Sequence, residues 1–275
     1  MRVVYIAGMS HSGSTLLNLM LNAHPEMMSV GELIDLARRA IPQDAKRTKY
    51  TPCPCGAPSL WECQFWSRVN ARTLEVDGKS LADLDVLIDR ELDERSAANA
   101  VLLRAIADVS GKNFIVDSSK RPGRLSYLLQ LKGLDVFPIH MVRDPHGQVS
   151  SLHRSKGGLI RHIYSYARMH GQIRRTVKSI PHSVVLYEDL VRDPERTLSN
   201  ILKPLGLRFD PCQLEWADQV HHTLGGNNLR WQLRSLVLDE RWKQNLSPFQ
   251  QALVRFGTAY SRRHFDASMP HAGIR

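Results

Sequence analysis

Residues 3–25 constrain the fold more than any other stretch. VVYIAG (3–8) is a short, apolar, β-branched run that ends in glycine, the pattern of a strand buried on both faces of a parallel sheet. From Thr15 the apolar spacing through Leu16, Leu17, Leu19, Met20 and Leu21 becomes helical, and Pro25 closes it. The two are joined by GMSHSGST (8–15), which nearly spells the phosphate loop G-x-x-x-x-G-K-[ST]. Gly8 and Gly13 permit the positive φ and close backbone approach that an anion nest needs. The amides of Gly13, Ser14 and Thr15 then face a ligand from a helix N-terminus. Ser14 stands where the lysine of an ATPase belongs, so the loop is expected to take an anion that is not a nucleoside triphosphate.

The same strand-then-helix alternation recurs downstream. NFIVDSSK (113–120), VFPIHMVRDP (136–145) and HSVVLYEDL (182–190) read as strands, with helices expected over 81–109, 123–133, 145–179 and 192–206. Alternation of this kind predicts an α/β fold of three layers, a central parallel sheet with helices on both faces. In such sheets ligands bind beyond the carboxyl ends of the strands, which gathers GMSHSGST, DSSK, RDP and YED into one candidate site.

At 275 residues the chain is expected to form a single domain, 1–275, with an irregular Cys/Pro-rich insertion at about 40–66. No segment reaches the ~18 apolar residues of a membrane span. VVYIAG is too short for a signal-peptide core, so a cytoplasmic protein is expected. Lys and Arg outnumber Asp and Glu 37 to 27, a net charge of +10 that suits a polyanionic ligand. Nucleic acid is not the expected one, because the basic stretches 143–156 and 174–178 carry no interleaved aromatics. Three of four cysteines fall in CPCGAPSLWEC (53–63), but C-x-C-x7-C matches no standard zinc spacing and Cys212 is remote. The cluster is read as a reduced insert packing through Trp61, Phe65 and Trp66, with a zinc site at Cys53, Cys55 and Cys63 as the alternative, and no metal ligand is assigned.

HSGSTLL followed by NAHPEMMSVGEL resembles the phosphosulfate loop of the sulfotransferases, whose donor is 3′-phosphoadenosine 5′-phosphosulfate (PAPS). MVRDPHGQVSSLHRS is similar to that family's 3′-phosphate segment, and VLYEDLVRDPERTL to a third. The resemblance implies a P-loop NTPase-like topology and a sulfuryl transfer that needs no catalytic metal and leaves 3′-phosphoadenosine 5′-phosphate (PAP). It places Ser12, Gly13, Ser14 and Thr15 on the 5′-phosphosulfate, Arg143 and Ser151 on the 3′-phosphate, and Tyr187 near the adenine. Asn227 and Arg230, in GGNNLRWQ, are expected to close over the 3′-phosphate. The family's usual P-[KR]-S-G-[ST]-T differs at two positions, since Ser10 replaces the proline and His11 the basic residue.

His11 is accordingly expected beside the leaving oxygen, with a bound phosphosulfate raising its pKa. Lys120, at the end of DSSK, could supply the cation that the loop lacks. Glu32 is the chosen general base, by similarity to the tyrosylprotein sulfotransferases, with Asp117 as runner-up. Small-molecule, carbohydrate and lipid acceptors stay open. Two competing readings are a P-loop nucleotide kinase, which predicts lysine at position 14, and a non-catalytic anion or nucleic-acid binding protein, which predicts salt-steep binding without transfer.

Overall fold

The computed structural model describes residues 1–36, 52–84, 92–226, 235–259 and 261. Five parallel strands form one sheet in the order β2-β3-β1-β4-β5: β1 Arg2–Gly8, β2 Met27–Gly31, β3 Phe114–Lys120, β4 Asp135–Val142 and β5 Ser183–Leu186. β1 is central and pairs with β3 and β4. Its side chains alternate between two cores, as a period of two requires. Val3, Tyr5 and Ala7 pack on one face with Trp66, Leu102, Leu125 and Ile173; Val4 and Ile6 pack on the other with Leu17, Leu190, Leu198 and Trp216. Helices α1 (Ser14–Asn22), α7 (Tyr187–Arg192) and α8 (Pro194–Leu202) therefore cover one face. Helices α2 (Gln64–Asp77), α3 (Leu92–Ser110), α4 (Pro122–Leu128) and α6 (Leu159–Val177) cover the other. This is the three-layer α/β fold that the alternation predicts.

Four local differences have physical causes. β2 was not anticipated as a strand: MMSVG lacks β-branched periodicity, and its buried Ser29 is accommodated because Asn18 and Asn22 on α1 accept its hydroxyl and amide hydrogens. The helical run expected over 145–179 divides into α5 (Pro145–Lys156) and α6 at Gly157 and Gly158, both at positive φ (66° and 75°). β5 stops at Leu186, so Tyr187 begins a helix instead of continuing the strand. α2 starts at Gln64, inside the stretch assigned to the insertion, of which residues 37–51 lie outside the described residues.

Candidate active site

The carboxyl edge of the sheet collects the loop after β1, Glu32 after β2, Lys120 ending β3, Arg143 after β4 and Tyr187 after β5. In the loop, Gly13 has φ 90° and caps α1, whose first turn carries no acidic residue. A Cβ on Gly13 would lie 2.4 Å from the Tyr187 ring, and one on Gly8 would lie 2.9 Å from the Met141 carbonyl. Both glycines are thus required by close approach, which holds the loop down on β4 and α7. Gln148, fully buried on α5, donates from Nε2 to the Ser10 carbonyl at 2.9 Å and fixes the loop's near side. Ser12 is fully buried, and its hydroxyl has no hydrogen-bond partner among the described residues. An orphaned buried hydroxyl is costly. Inside a glycine cradle at a helix N-terminus, it fits a phosphate oxygen as its partner.

His11, Arg143 and Ser151 are brought together. Ser151 Oγ lies 2.7 Å from His11 Nδ1, and Arg143 donates to the His11 carbonyl at 3.1 Å. The Arg143 guanidinium also lies 4.6 Å above the Tyr187 ring centroid and pairs with the Asp239 carboxylate at 3.1 Å. The Asp239 carboxyl is held well below the usual carboxylate range, by Arg241 first and by Arg143 next, so this ion pair is fully charged at neutral pH. The Asp144 side chain accepts from the His146 amide and caps α5. Tyr187 is largely buried beneath the loop, its hydroxyl 3.4 Å from both the Val237 carbonyl and the Asp239 amide. Without ligand, burial lowers the His11 pKa, followed by the charges of Lys156, Arg143, Lys120 and Arg154. His11 is therefore neutral at pH 7 in the free protein, and an arriving anion would offset those positive charges.

On the other side of the loop, Lys120 donates to Glu32 Oε1, and the Gly226 amide donates to the same oxygen at 2.8 Å. The residues before Gly226 run beside β2: Leu224 donates to the Val30 carbonyl at 2.8 Å and accepts from the Glu32 amide at 2.7 Å. Gly31 makes this possible, since a Cβ there would fall 2.2 Å from the Leu224 carbonyl oxygen. Among the described residues the non-glycine positive φ values are His11 (66°) and Lys120 (68°), two of the three candidate catalytic residues. Strained backbone of this kind persists only where surrounding structure over-determines it.

Asp117, the alternative base, lies outside the site. It is fully buried, accepts from Arg124 Nε at 2.8 Å, and also accepts from the amide and hydroxyl of Ser119. Ser119 in turn accepts from the Ile34 amide at 3.1 Å, so Asp117 supports the turn that follows Glu32. Asn227 and Arg230 lie outside the described residues. Sequence reasoning missed Asp239, which carries no motif, and although GGNNLRWQ was expected at the 3′-phosphate, its Gly226 contacts Glu32.

The model of the sulfotransferase family matches residues 4–211. The chain belongs to the sulfotransferase family. A search of curated proteins finds no match. Among solved structures, this sulfotransferase is similar to the sulfotransferase domain of the Synechococcus PCC 7002 olefin synthase, at 21% identity and TM-score 0.63 over 98% of this chain and 96% of that one. It is also similar to a Mycobacterium avium sulfotransferase, at 15% identity and TM-score 0.52, covering 96% of this chain and 77% of the other. A mouse sulfotransferase solved in complex with PAP matches at 11% identity and TM-score 0.51, over 97% and 85% of the two chains. At these identities the likeness is one of fold, which establishes the P-loop NTPase-like α/β architecture. No helix among the described residues is long and apolar enough to cross a membrane.

Proposed function

We propose that this sulfotransferase moves a sulfuryl group from PAPS to a hydroxyl or amine of a small-molecule, carbohydrate or lipid acceptor. One observation carries the reading. A glycine cradle without a lysine shares one sheet edge with an Arg143/Ser151 pair on one side and a Glu32/Lys120 pair on the other. A kinase is disfavoured because Ser14 cannot neutralise β and γ phosphates. The PAP bound to the mouse structure supports the choice of nucleotide.

When bound, PAPS supplies an activated sulfuryl group on its 5′-phosphate. The chain's own residues do the rest. Ser12, Gly13, Ser14 and Thr15 hold the 5′-phosphate, and the α1 N-terminus contributes about half a positive charge there. Arg143 and Ser151 take the 3′-phosphate, for which the planar guanidinium is suited by its fork of donors. Phosphate then replaces the Asp239 carboxylate on Arg143, and Tyr187 keeps the guanidinium in plane from below. Asn227 and Arg230 belong to the segment that would close over this end.

At the reacting end, Glu32 accepts the acceptor's proton. Both of its donors engage Oε1, which leaves Oε2 to take it. Lys120 shares the Glu32 carboxylate and can turn its ammonium towards charge developing on the phosphate oxygens, as donors in a preorganised site do. His11 carries a proton once the anion has raised its pKa, and stabilises the leaving oxygen. On this reading residues 1–275 act as one catalytic domain.

Incubating the protein with sulfur-labelled PAPS and cell extract, then identifying the labelled product, tests the proposal. Label should pass to a hydroxyl- or amine-bearing acceptor without added metal. Salt-sensitive polynucleotide binding with no label transferred would favour the non-catalytic reading instead.

A further inference from the structure

Cys53, Cys55 and Cys63 meet a fourth residue that their spacing could not indicate. The His222 ring, 159 residues beyond Cys63, places Nδ1 3.2 Å from the Cys63 sulfur and 3.8 Å from the Cys53 sulfur. The Cys55 and Cys63 sulfurs are 3.6 Å apart, and all four ligand atoms lie within 4.8 Å of one another. A disulfide needs sulfurs ~2.05 Å apart, and the cysteines are free. Tetrahedral zinc, with bonds of ~2.3 Å to sulfur and ~2.0 Å to nitrogen, sets sulfurs about 3.8 Å apart and sulfur and nitrogen about 3.5 Å apart. The three separations of 3.2–3.8 Å lie within a few tenths of an ångström of that set, and closing the widest pair, within 4.8 Å, needs only a small side-chain adjustment. We propose that Cys53, Cys55, Cys63 and His222 form a structural Cys3His zinc site that fastens the strap 222–226 to the cysteine-bearing insert.

The surroundings are built for it. Cys53–Ala57 fold as a tight knuckle, in which the Cys53 amide donates to the Ala57 carbonyl at 2.8 Å and the Gly56 amide to the Cys53 carbonyl at 2.9 Å. Gly56 takes φ 96°, where no side chain would be comfortable. Phe65 stacks on the imidazole at 4.8 Å and 16°, and Trp66 Nε1 donates to the His222 carbonyl at 2.8 Å. Phe65 fixes the plane of the ring, and Trp66 fixes the backbone that carries it. Three soft thiolates and an imidazole select zinc over harder cations, and binding releases the thiol protons to solvent.

The position of the site gives it a purpose. Two residues after His222, Leu224 pairs with Val30 and Glu32, and two further on the Gly226 amide holds the Glu32 carboxylate. Metal at His222 would anchor the root of the strap that orients Glu32. His222 is thus a positioning residue. Its effect on turnover rests on the reading of Glu32 as base, whereas metal binding does not.

Full-length protein purified without chelator should contain about one zinc per chain, and cobalt exchange should give the visible absorption of a tetrahedral thiolate site. Cys55→Ser and His222→Ala should each retain under about a tenth of that zinc, while His222→Cys, which offers a fourth thiolate, should restore it. In chelator-treated wild type, the Leu224 and Gly226 amides should exchange with solvent at least ~10-fold faster, with β1 amides unchanged. Zinc near zero after reconstitution, with all four cysteine thiols reactive, would overturn the proposal. So would full zinc in both Cys55→Ser and His222→Ala, or unchanged exchange on removal. Calorimetry with PAP on the same samples keeps the two readings apart: failure of the wild type to bind PAP counts against the sulfuryl-transfer reading and leaves the zinc result standing.

Discussion

β3 ends in two ion pairs only three residues apart, Asp117 with Arg124 and Lys120 with Glu32, and their surroundings differ completely. The first has no exposed side-chain surface, and its carboxylate accepts two further hydrogen bonds, from the amide and hydroxyl of Ser119. The second keeps 14% and 17% of its side chains exposed at the sheet edge, beside the phosphate-type loop. A sealed carboxylate whose acceptors are occupied cannot meet a substrate. A carboxylate at the mouth of the site, gripped through one oxygen, can. The two are also linked, because Asp117 holds Ser119, Ser119 holds the Ile34 amide, and the turn that follows Glu32 is thereby fixed. At Lys120 the backbone turns to φ 68° and leaves the strand, which is how a residue three positions from a core aspartate reaches solvent.

The comparison breaks first at Glu32. A positioned general base contributes ~10²–10⁴ in rate, so Glu32→Gln should lose that much turnover with PAP affinity unchanged, measured by initial rates on the acceptor found by labelling. Equal turnover would remove the functional half of the contrast. Arg124→Met should leave a buried, unpaired Asp117 and cost about 3–5 kcal/mol of stability, read as a lower urea midpoint. An unchanged midpoint would remove the structural half.

A smaller effect concerns His11. Burial and the nearby cations lower its pKa in the free protein, and a bound anion raises it again, so binding takes up protons in the pH window between those two values. PAP affinity should therefore weaken as pH rises through that window. Calorimetry in two buffers of different ionisation heat should show uptake of less than about one proton, absent in His11→Gln.

Much of this was legible in the chain. The loop and the strand ends are local patterns, and both reappear at the carboxyl edge of the sheet. β2 was not, because a five-residue strand whose polar Ser29 is satisfied from a neighbouring helix carries no periodic signal. Asp239 and His222 were invisible for a different reason. Each reaches its partner across many intervening helices and strands, and nothing in the sequence around Arg143 or Cys63 announces it. The spacing C-x-C-x7-C supplies three thiols and no fourth ligand, and His222, on which the zinc proposal depends, is 159 residues away.

The central claim is that a lysine-free cradle and Arg143 together bind a nucleotide with one 5′-phosphate and a 3′-phosphate. Titrating PAP into the protein by calorimetry, with no added magnesium, tests it most directly. The account predicts one PAP per chain, no comparable binding of ATP, and affinity lower by about 10–100-fold in Arg143→Ala, the loss of a charged hydrogen-bonding partner. Wild type that binds ATP as well as PAP, or an Arg143→Ala variant that binds PAP undiminished, would contradict it.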